Sequence, residues 1–154
     1  MKALVDTNIF IDALRDRRPF SESAQLMLAL AALGELELWM SPAQFGDLTY
    51  VLTEGGKRSL AADVTLELRR LRKYVHVCSL GADEVDRALQ LGWADLEDAL
   101  VYEAAASLRA DVIVSRNAKD FCGDPNRRIP VLDAATFFAW YEERTGVDYC
   151  DIAW

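Results

Sequence analysis

Past the middle of the chain, Val112-Ile113-Val114 runs between Asp111 and Ser115 as three β-branched residues with no polar residue interposed. A strand on a half-exposed sheet alternates apolar and polar side chains, so an unbroken run requires cover on both faces. That is the pattern of a parallel strand packed between helices. A shorter run of the same kind, Ala3-Leu4-Val5, ends abruptly at Asp6-Thr7-Asn8 and passes into a helical pattern from Ile9 to Arg15. In an open parallel sheet, ligands bind in the crevice beyond the carboxyl ends of the strands. Asp6 therefore stands where such a site is expected, and Thr7 and Asn8 are placed to cap the helix that follows.

The remaining chain alternates in the same way. A helix is expected over Ser21–Leu33 and a strand over Leu36–Met40. Ser41-Pro42-Ala43-Gln44 then offers a serine cap, proline at the first helical position and glutamine to close a capping box. Phe45, Leu48, Val51 and Leu52 give that helix an apolar face, and Gly55-Gly56 ends it. Further helices are expected over Ser59–Lys73, Ala82–Leu91, Asp95–Leu108 and Ala134–Arg144. Strands are expected at Val75–Ser79, Asp111–Ser115 and Ile129–Leu132, the last at a sheet edge because it contains Pro130. Five short strands separated by helices imply an α/β fold with a parallel sheet and right-handed crossovers.

The 154 residues, 52% of them hydrophobic, suffice for one domain spanning 1–154 with its own core. No apolar run approaches the roughly 18 residues of a membrane span. Met1-Lys2-Ala3 opens no signal peptide, since an acid follows at position 6, so a cytoplasmic protein is expected. Cys78, Cys122 and Cys150 are odd in number and form no C-x-x-C pair, which points to ordinary thiols. His76, the single histidine, falls in the apolar stretch Tyr74–Cys78 and reads as a strand residue; one histidine excludes a histidine-cluster metal site. The net charge of −8 argues against nucleic-acid binding by global electrostatics. Local basic tracks remain at Arg15-Asp16-Arg17-Arg18, Arg69–Lys73 and Arg127-Arg128.

The acids are the informative polar residues. Asp47 lies one turn inside the Ser41 helix among Phe45, Gly46 and Leu48, and a half-buried carboxylate needs a partner or a metal. Asp95 suits a helix N-cap and Asp98 the third helical position; three apart, they share one face and could share a cation. Ser115, Asn117 and Asp120 follow the end of a central strand. Oxygen ligands gathered at strand ends and helix starts suit a hard cation, Mg²⁺ or Mn²⁺. Such a site does phosphoryl chemistry, neutralising phosphate and activating water.

In Leu4-Val5-Asp6-Thr7-Asn8, in Ser41-Pro42 with its downstream acid, in Asp95-Leu96-Glu97-Asp98-Ala99-Leu100 and in Ile113-Val114-Ser115-Arg116-Asn117-Ala118-Lys119-Asp120-Phe121, the chain resembles the PIN domain family. The resemblance implies a three-layer α/β/α sandwich around a parallel five-stranded sheet, and a metal-dependent ribonuclease. It further implies a VapC-like toxin held inactive by an antitoxin and often a homodimer. By the same resemblance Asp6 and Asp98 match two of the family's acids. Asp47 stands where the family most often has Glu, an arm shorter by about 1.5 Å, which favours ligation through water. Asn117 stands where Asp is common, keeping an oxygen and losing the charge, which Asp120 could supply.

These readings name Asp6, Asp47 and Asp98 as catalytic and metal-holding residues, with Asp95, Asn117 and Asp120 as auxiliary ligands. Asn8, Ser115 and Arg116 would position ligand or phosphate, and Lys119 and the basic tracks would contact the RNA backbone without reading sequence. Of the tryptophans, Trp39, Trp93 and Trp140 read as core or near-core, and Trp154 as a contact anchor. A second reading, prompted by Asp47 and Asn117, is a PIN-fold protein that binds RNA or a protein partner without cutting. A third, a phosphotransferase or receiver-type domain phosphorylated on Asp6, lacks the D-x-D-x-T or the paired acids it would need.

Overall fold

A computed structural model of the chain describes residues 1–121 and 129–147. Cys122, Arg127-Arg128, Cys150 and Trp154 lie outside the described residues. Along the chain run β1 (Lys2–Val5), α1 (Thr7–Leu14), α2 (Ser21–Ala32), β2 (Glu37–Met40), α3 (Pro42–Leu52), α4 (Ala61–Leu71) and β3 (Val75–Val77). They are followed by α5 (Ala82–Leu91), α6 (Leu96–Leu108), β4 (Val112–Val114), β5 (Val131–Leu132) and α7 (Ala134–Thr145). The five strands form one sheet in the order β3-β2-β1-β4-β5, every pairing parallel.

Adjacent residues of each strand feed opposite layers, as a doubly covered sheet requires. Ala3, Val5, Leu38, Met40, Val112 and Val114 pack into a core shared with Phe10, Met27, Leu30, Leu48 and Phe137 of α1, α2, α3 and α7. Leu4, Ile113 and Val131 turn the other way, into a core with Val101, Tyr102, Ala104 and Ala105 of α6 and with Phe121. The result is a three-layer α/β/α sandwich. Among the described residues no helix is long and apolar enough to cross a membrane.

Several boundaries differ from the sequence expectations for local reasons. The helix expected from Ser59 begins as a 3-10 turn over Arg58–Leu60 before α4, because the chain leaves Gly55 and Gly56 at φ +84° and +87° and closes Lys57 to Leu60 by an i→i+3 bond. It ends at Leu71, where Lys73 and Tyr74 tighten into the same kind of turn. β3 stops at Val77 because its partner β2 gives way to the α3 cap at Ser41. Pro130 lies just before β5 and still accepts from the Ile113 N–H (2.9 Å); β5 is indeed the sheet edge. His76 lies in β3 and stacks on Trp39 at 4.7 Å.

Because β2 and β3 lie on one side of β1 and β4 and β5 on the other, the direction of winding reverses between β1 and β4. The crevice beyond their carboxyl ends is the place where a sheet of this type binds ligands.

Candidate metal and phosphate site

Asp6 ends β1 inside that crevice, only 6% exposed. Its Oδ2 accepts from Ser115 Oγ at the end of β4 (2.6 Å) and from Asn8 Nδ2 (2.8 Å). Ser115, wholly buried, in turn accepts the Asn117 N–H on its Oγ (3.1 Å). Asn8 Oδ1 accepts the Arg116 N–H (3.3 Å). Asn8 is thus a brace between the ends of β1 and β4. It is not the helix cap the sequence suggested: Asp6 occupies the N-cap position of α1 without a side-chain capping bond, and Thr7 is the first helical residue. The Thr7 hydroxyl is buried beside Asp6 and has no hydrogen-bond partner among the described residues.

The start of α3 is fixed to the same strand end. Ser41 and Gln44 form the expected capping box, and Gln44 Nε2 reaches across to donate to the Val5 carbonyl (2.8 Å). That anchor holds the next turn of α3, and with it half-buried Asp47, toward Asp6. On α6, Asp95 caps the helix as expected, its Oδ1 accepting from the Glu97 and Asp98 N–H groups (2.8 and 3.4 Å). Asp98 consequently stands at the third helical position.

These placements converge on one cleft of about 380 Å³ lined by Asp6, Asp47, Asp95, Asp98, Asn117 and Asp120. Thr7, Asn8 and Glu97 also line it, with Tyr50 and Val51 at its edge. Glu97 was missed in the sequence, although its position between two candidate acids was the available signal. Among the described residues that line it, none is a lysine or arginine. The electrostatic consequence is a cluster of acids that raise one another. Burial, reinforced by Asp6, Asp95, Asp120 and Glu97, pushes the Asp98 carboxyl up to about 7. Burial, with Asp47, Asp6 and Asp95 nearby, raises Glu97. Asp6 is also raised, because its burial outweighs the hydrogen bonds from Ser115, the Thr7 N–H and Asn8 and the nearby charge of Arg116.

Oxygen donors, with no sulfur or imidazole among the described lining residues, fit a hard cation such as Mg²⁺ or Mn²⁺. The fit is of a particular kind: among the described residues, no three acid, histidine or cysteine side chains stand ready to grip an ion together. Mg²⁺ is commonly held by one or two carboxylates while keeping several waters, and a cleft of separated carboxylates suits that mode.

Arg116 takes a different place from the one its sequence position suggested. Its Nη1 donates to both carboxylate oxygens of Asp12 (3.0 and 3.3 Å), and its guanidinium lies over the Phe20 ring at 5.1 Å. It does not line the acid cleft. Asp12, 0% exposed, is a buried acid the sequence reading overlooked; its setting in Ile9-Phe10-Ile11-Asp12-Ala13, apolar on every side, was the signal.

Solved structures share this architecture. VapBC2 from Rickettsia felis, bound to a DNA fragment from its promoter, aligns over 86% of this chain and 98% of its own at 18% identity and TM-score 0.63. VapBC-1 from nontypeable Haemophilus influenzae covers 88% of this chain and 99% of its own at 18% identity and TM-score 0.65. VapC20 from Mycobacterium tuberculosis, a sarcin-ricin loop cleaving toxin, covers 72% of this chain and 86% of its own at 17% identity and TM-score 0.56. A search of curated proteins finds no match to the chain. A family model for the PIN domain matches residues 2–119, a stretch that runs from β1 past Asp98 and Asn117, and the chain belongs to the PIN domain family.

Proposed function

We propose that the protein is a Mg²⁺- or Mn²⁺-dependent endoribonuclease that hydrolyses RNA phosphodiester bonds and serves as the toxin of a toxin–antitoxin pair. The observation that carries this reading is the convergence of carboxylates from β1, α3 and α6 in one cleft, with no basic side chain among the described residues that line it. Asp6, Asp47 and Asp98 are assigned to hold the cation, with Asp95, Asn117 and Asp120 as auxiliary ligands. When bound, the cation would supply positive charge against the phosphodiester and acidify water. Ser115 and Asn8 orient the Asp6 carboxylate from behind, the role that outer hydrogen bonds take at metal sites. Asp98, pushed up to about 7 by burial and then by its acidic neighbours, gives up its proton as a cation enters, so ion uptake is linked to pH. Lys119 is assigned a contact with the RNA backbone. The VapBC and VapC identities of the structural neighbours support an antitoxin partner, and homodimerisation of a single domain spanning 1–154 belongs to the same proposal.

The test is cleavage of a structured RNA pool in Mn²⁺, Mg²⁺ or EDTA by the wild type, Asp6→Asn and Asp98→Asn. Metal-dependent cutting lost in both variants supports the assignment. The competing reading, a PIN-fold protein that binds RNA or a protein without cutting, is favoured by the absence of three preassembled ligands among the described residues. It prevails if the folded wild type does not cut, or if the variants cut equally well.

A further inference from the structure

Immediately beside the acid cleft the strand ends build a second pocket, of about 330 Å³, within the range of small-ligand sites. The two share a wall: Asn8 and Asn117 line the acid cleft, whereas Ile9 and Arg116, the next residues along each segment, line this one. Its chemistry differs from that of its neighbour. Phe20 is 46% exposed, with the Arg116 guanidinium over its ring, and Pro19 extends the same apolar surface.

Around this aromatic surface stand the Arg116 guanidinium and the Asp133 carboxylate, with Asp12 and Ser23 also in the lining. Arg116 is clamped through Nη1 by buried Asp12, and among the described residues its Nε and Nη2 have no hydrogen bond, so they remain available as donors. Asp133 caps α7 through Oδ1, which accepts the Thr136 N–H (2.7 Å); among the described residues its Oδ2 has no hydrogen bond. An apolar peptide side chain would use neither group. A planar ring that stacks while presenting acceptors on one edge and donors on another would engage Phe20, Arg116 and Asp133 together. Aromatic rings and arginine planes are the surfaces on which unstacked RNA bases rest. Guanine fits the polar pair, because O6 and N7 accept from arginine while N1–H and the N2 amino group donate to a carboxylate.

We propose that this pocket is a nucleobase subsite that seats an unpaired guanine of the RNA next to the phosphodiester held in the acid cleft, with Phe20 as the stacking surface and Arg116 and Asp133 reading the base edges. The assignment rests on the ribonuclease reading for its biological setting but not for its test. Arg116 thereby becomes a base contact held in place by Asp12, in place of the phosphate contact suggested by its sequence position.

The experiment measures equilibrium binding of fluorescein-labelled RNA hexamers, all-uridine or carrying one central guanosine, by anisotropy in EDTA, where metal-dependent cutting cannot interfere. The wild type is expected to bind the guanosine hexamer about tenfold more tightly. Phe20→Ala, at a half-exposed position, should lower affinity for that hexamer about tenfold. Asp133→Asn keeps a competent helix cap but loses the charged acceptor, and should abolish the preference for guanosine; thermal melts confirm that each variant is folded. Equal binding of the two hexamers, or variants that bind as the wild type does, overturns the proposal. So does a Phe20→Ala protein that loses only association with a protein partner. Cleavage is scored separately in Mn²⁺. Cutting without guanosine preference leaves the nuclease and removes the subsite, while guanosine-dependent binding without cutting does the reverse.

Discussion

Replacing Asp98 by asparagine should stabilise the metal-free protein at pH 8 even though it removes a proposed ligand. In the fold, burial and four neighbouring carboxylates push the Asp98 carboxyl from an ordinary value near 3.8 up to about 7. At about 1.4 kcal/mol per tenfold in proton affinity, the ionised form costs the fold at most about 4 kcal/mol. Solvent reaching the partly exposed side chain reduces that to about 1–2 kcal/mol. Below pH 4 the group is protonated whether the chain is folded or not, and the cost is absent. Between pH 4 and 7 the unfolded chain releases its proton while the folded one keeps it, so stability falls as pH rises; above 7 the full cost is present. Asn carries no such cost. It does lose the favourable placement of a negative charge in the first turn of α6, about 0.3–1 kcal/mol, which is the smaller quantity. Urea denaturation in EDTA at pH 5, 6, 7 and 8 should therefore show the variant gaining on the wild type across this range. Glu84, held at about 2 chiefly by the Ser107 hydroxyl and the Gly81 N–H, titrates below this window and does not disturb it. With Mn²⁺ at a hundredfold excess over its dissociation constant, the wild type should gain about 2.7 kcal/mol at pH 8, and the variant less. A variant no more stable than the wild type at pH 8 in EDTA, with the same pH slope, would refute the claim that burial and the neighbouring acids penalise the ionised Asp98.

Ser115→Ala removes the hydroxyl that donates to Asp6 and should weaken Mn²⁺ binding about 10- to 100-fold in calorimetry, with the sheet intact by circular dichroism. Arg116→Met removes the guanidinium paired with Asp12, leaving only the nearby charge of Arg17, and should cost about 1–3 kcal/mol in urea unfolding. Adding Asp12→Asn to that variant should restore most of the loss, and a double variant no more stable than the single one would show that the pair is not coupled. Ser41→Ala opens the capping box that seats α3 against β1 and should cost about 1 kcal/mol, measured by the same unfolding.

The parts of this fold that were legible in the sequence are those that local rules write down. Ala3-Leu4-Val5 and Val112-Ile113-Val114 announce doubly covered strands, Ser41-Pro42-Ala43-Gln44 announces a capped helix, and Asp95 announces another; all four are where the sequence put them. The bonds that organise the site are of another kind. Ser115 reaches Asp6, and Arg116 reaches Asp12, across more than a hundred positions of chain, and no periodicity within either segment specifies its partner. Asp12 illustrates the difficulty: its apolar neighbours mark it as buried, but nothing near it in sequence names the guanidinium that pairs with it. Glu97 does too, since a first-turn acid is accounted for by the helix dipole alone. What converts these separate addresses into a site is the strand order. Had the strands been laid down in sequence order, β1 and β4 would lie three spacings apart, about 14 Å, and Ser115 could not touch Asp6. Because β4 returns to pair with β1 on the side away from β2, the two strand ends become neighbours. The acid cleft and the aromatic pocket then follow as the two sides of one junction, divided by the Asn8 bond to the Arg116 backbone.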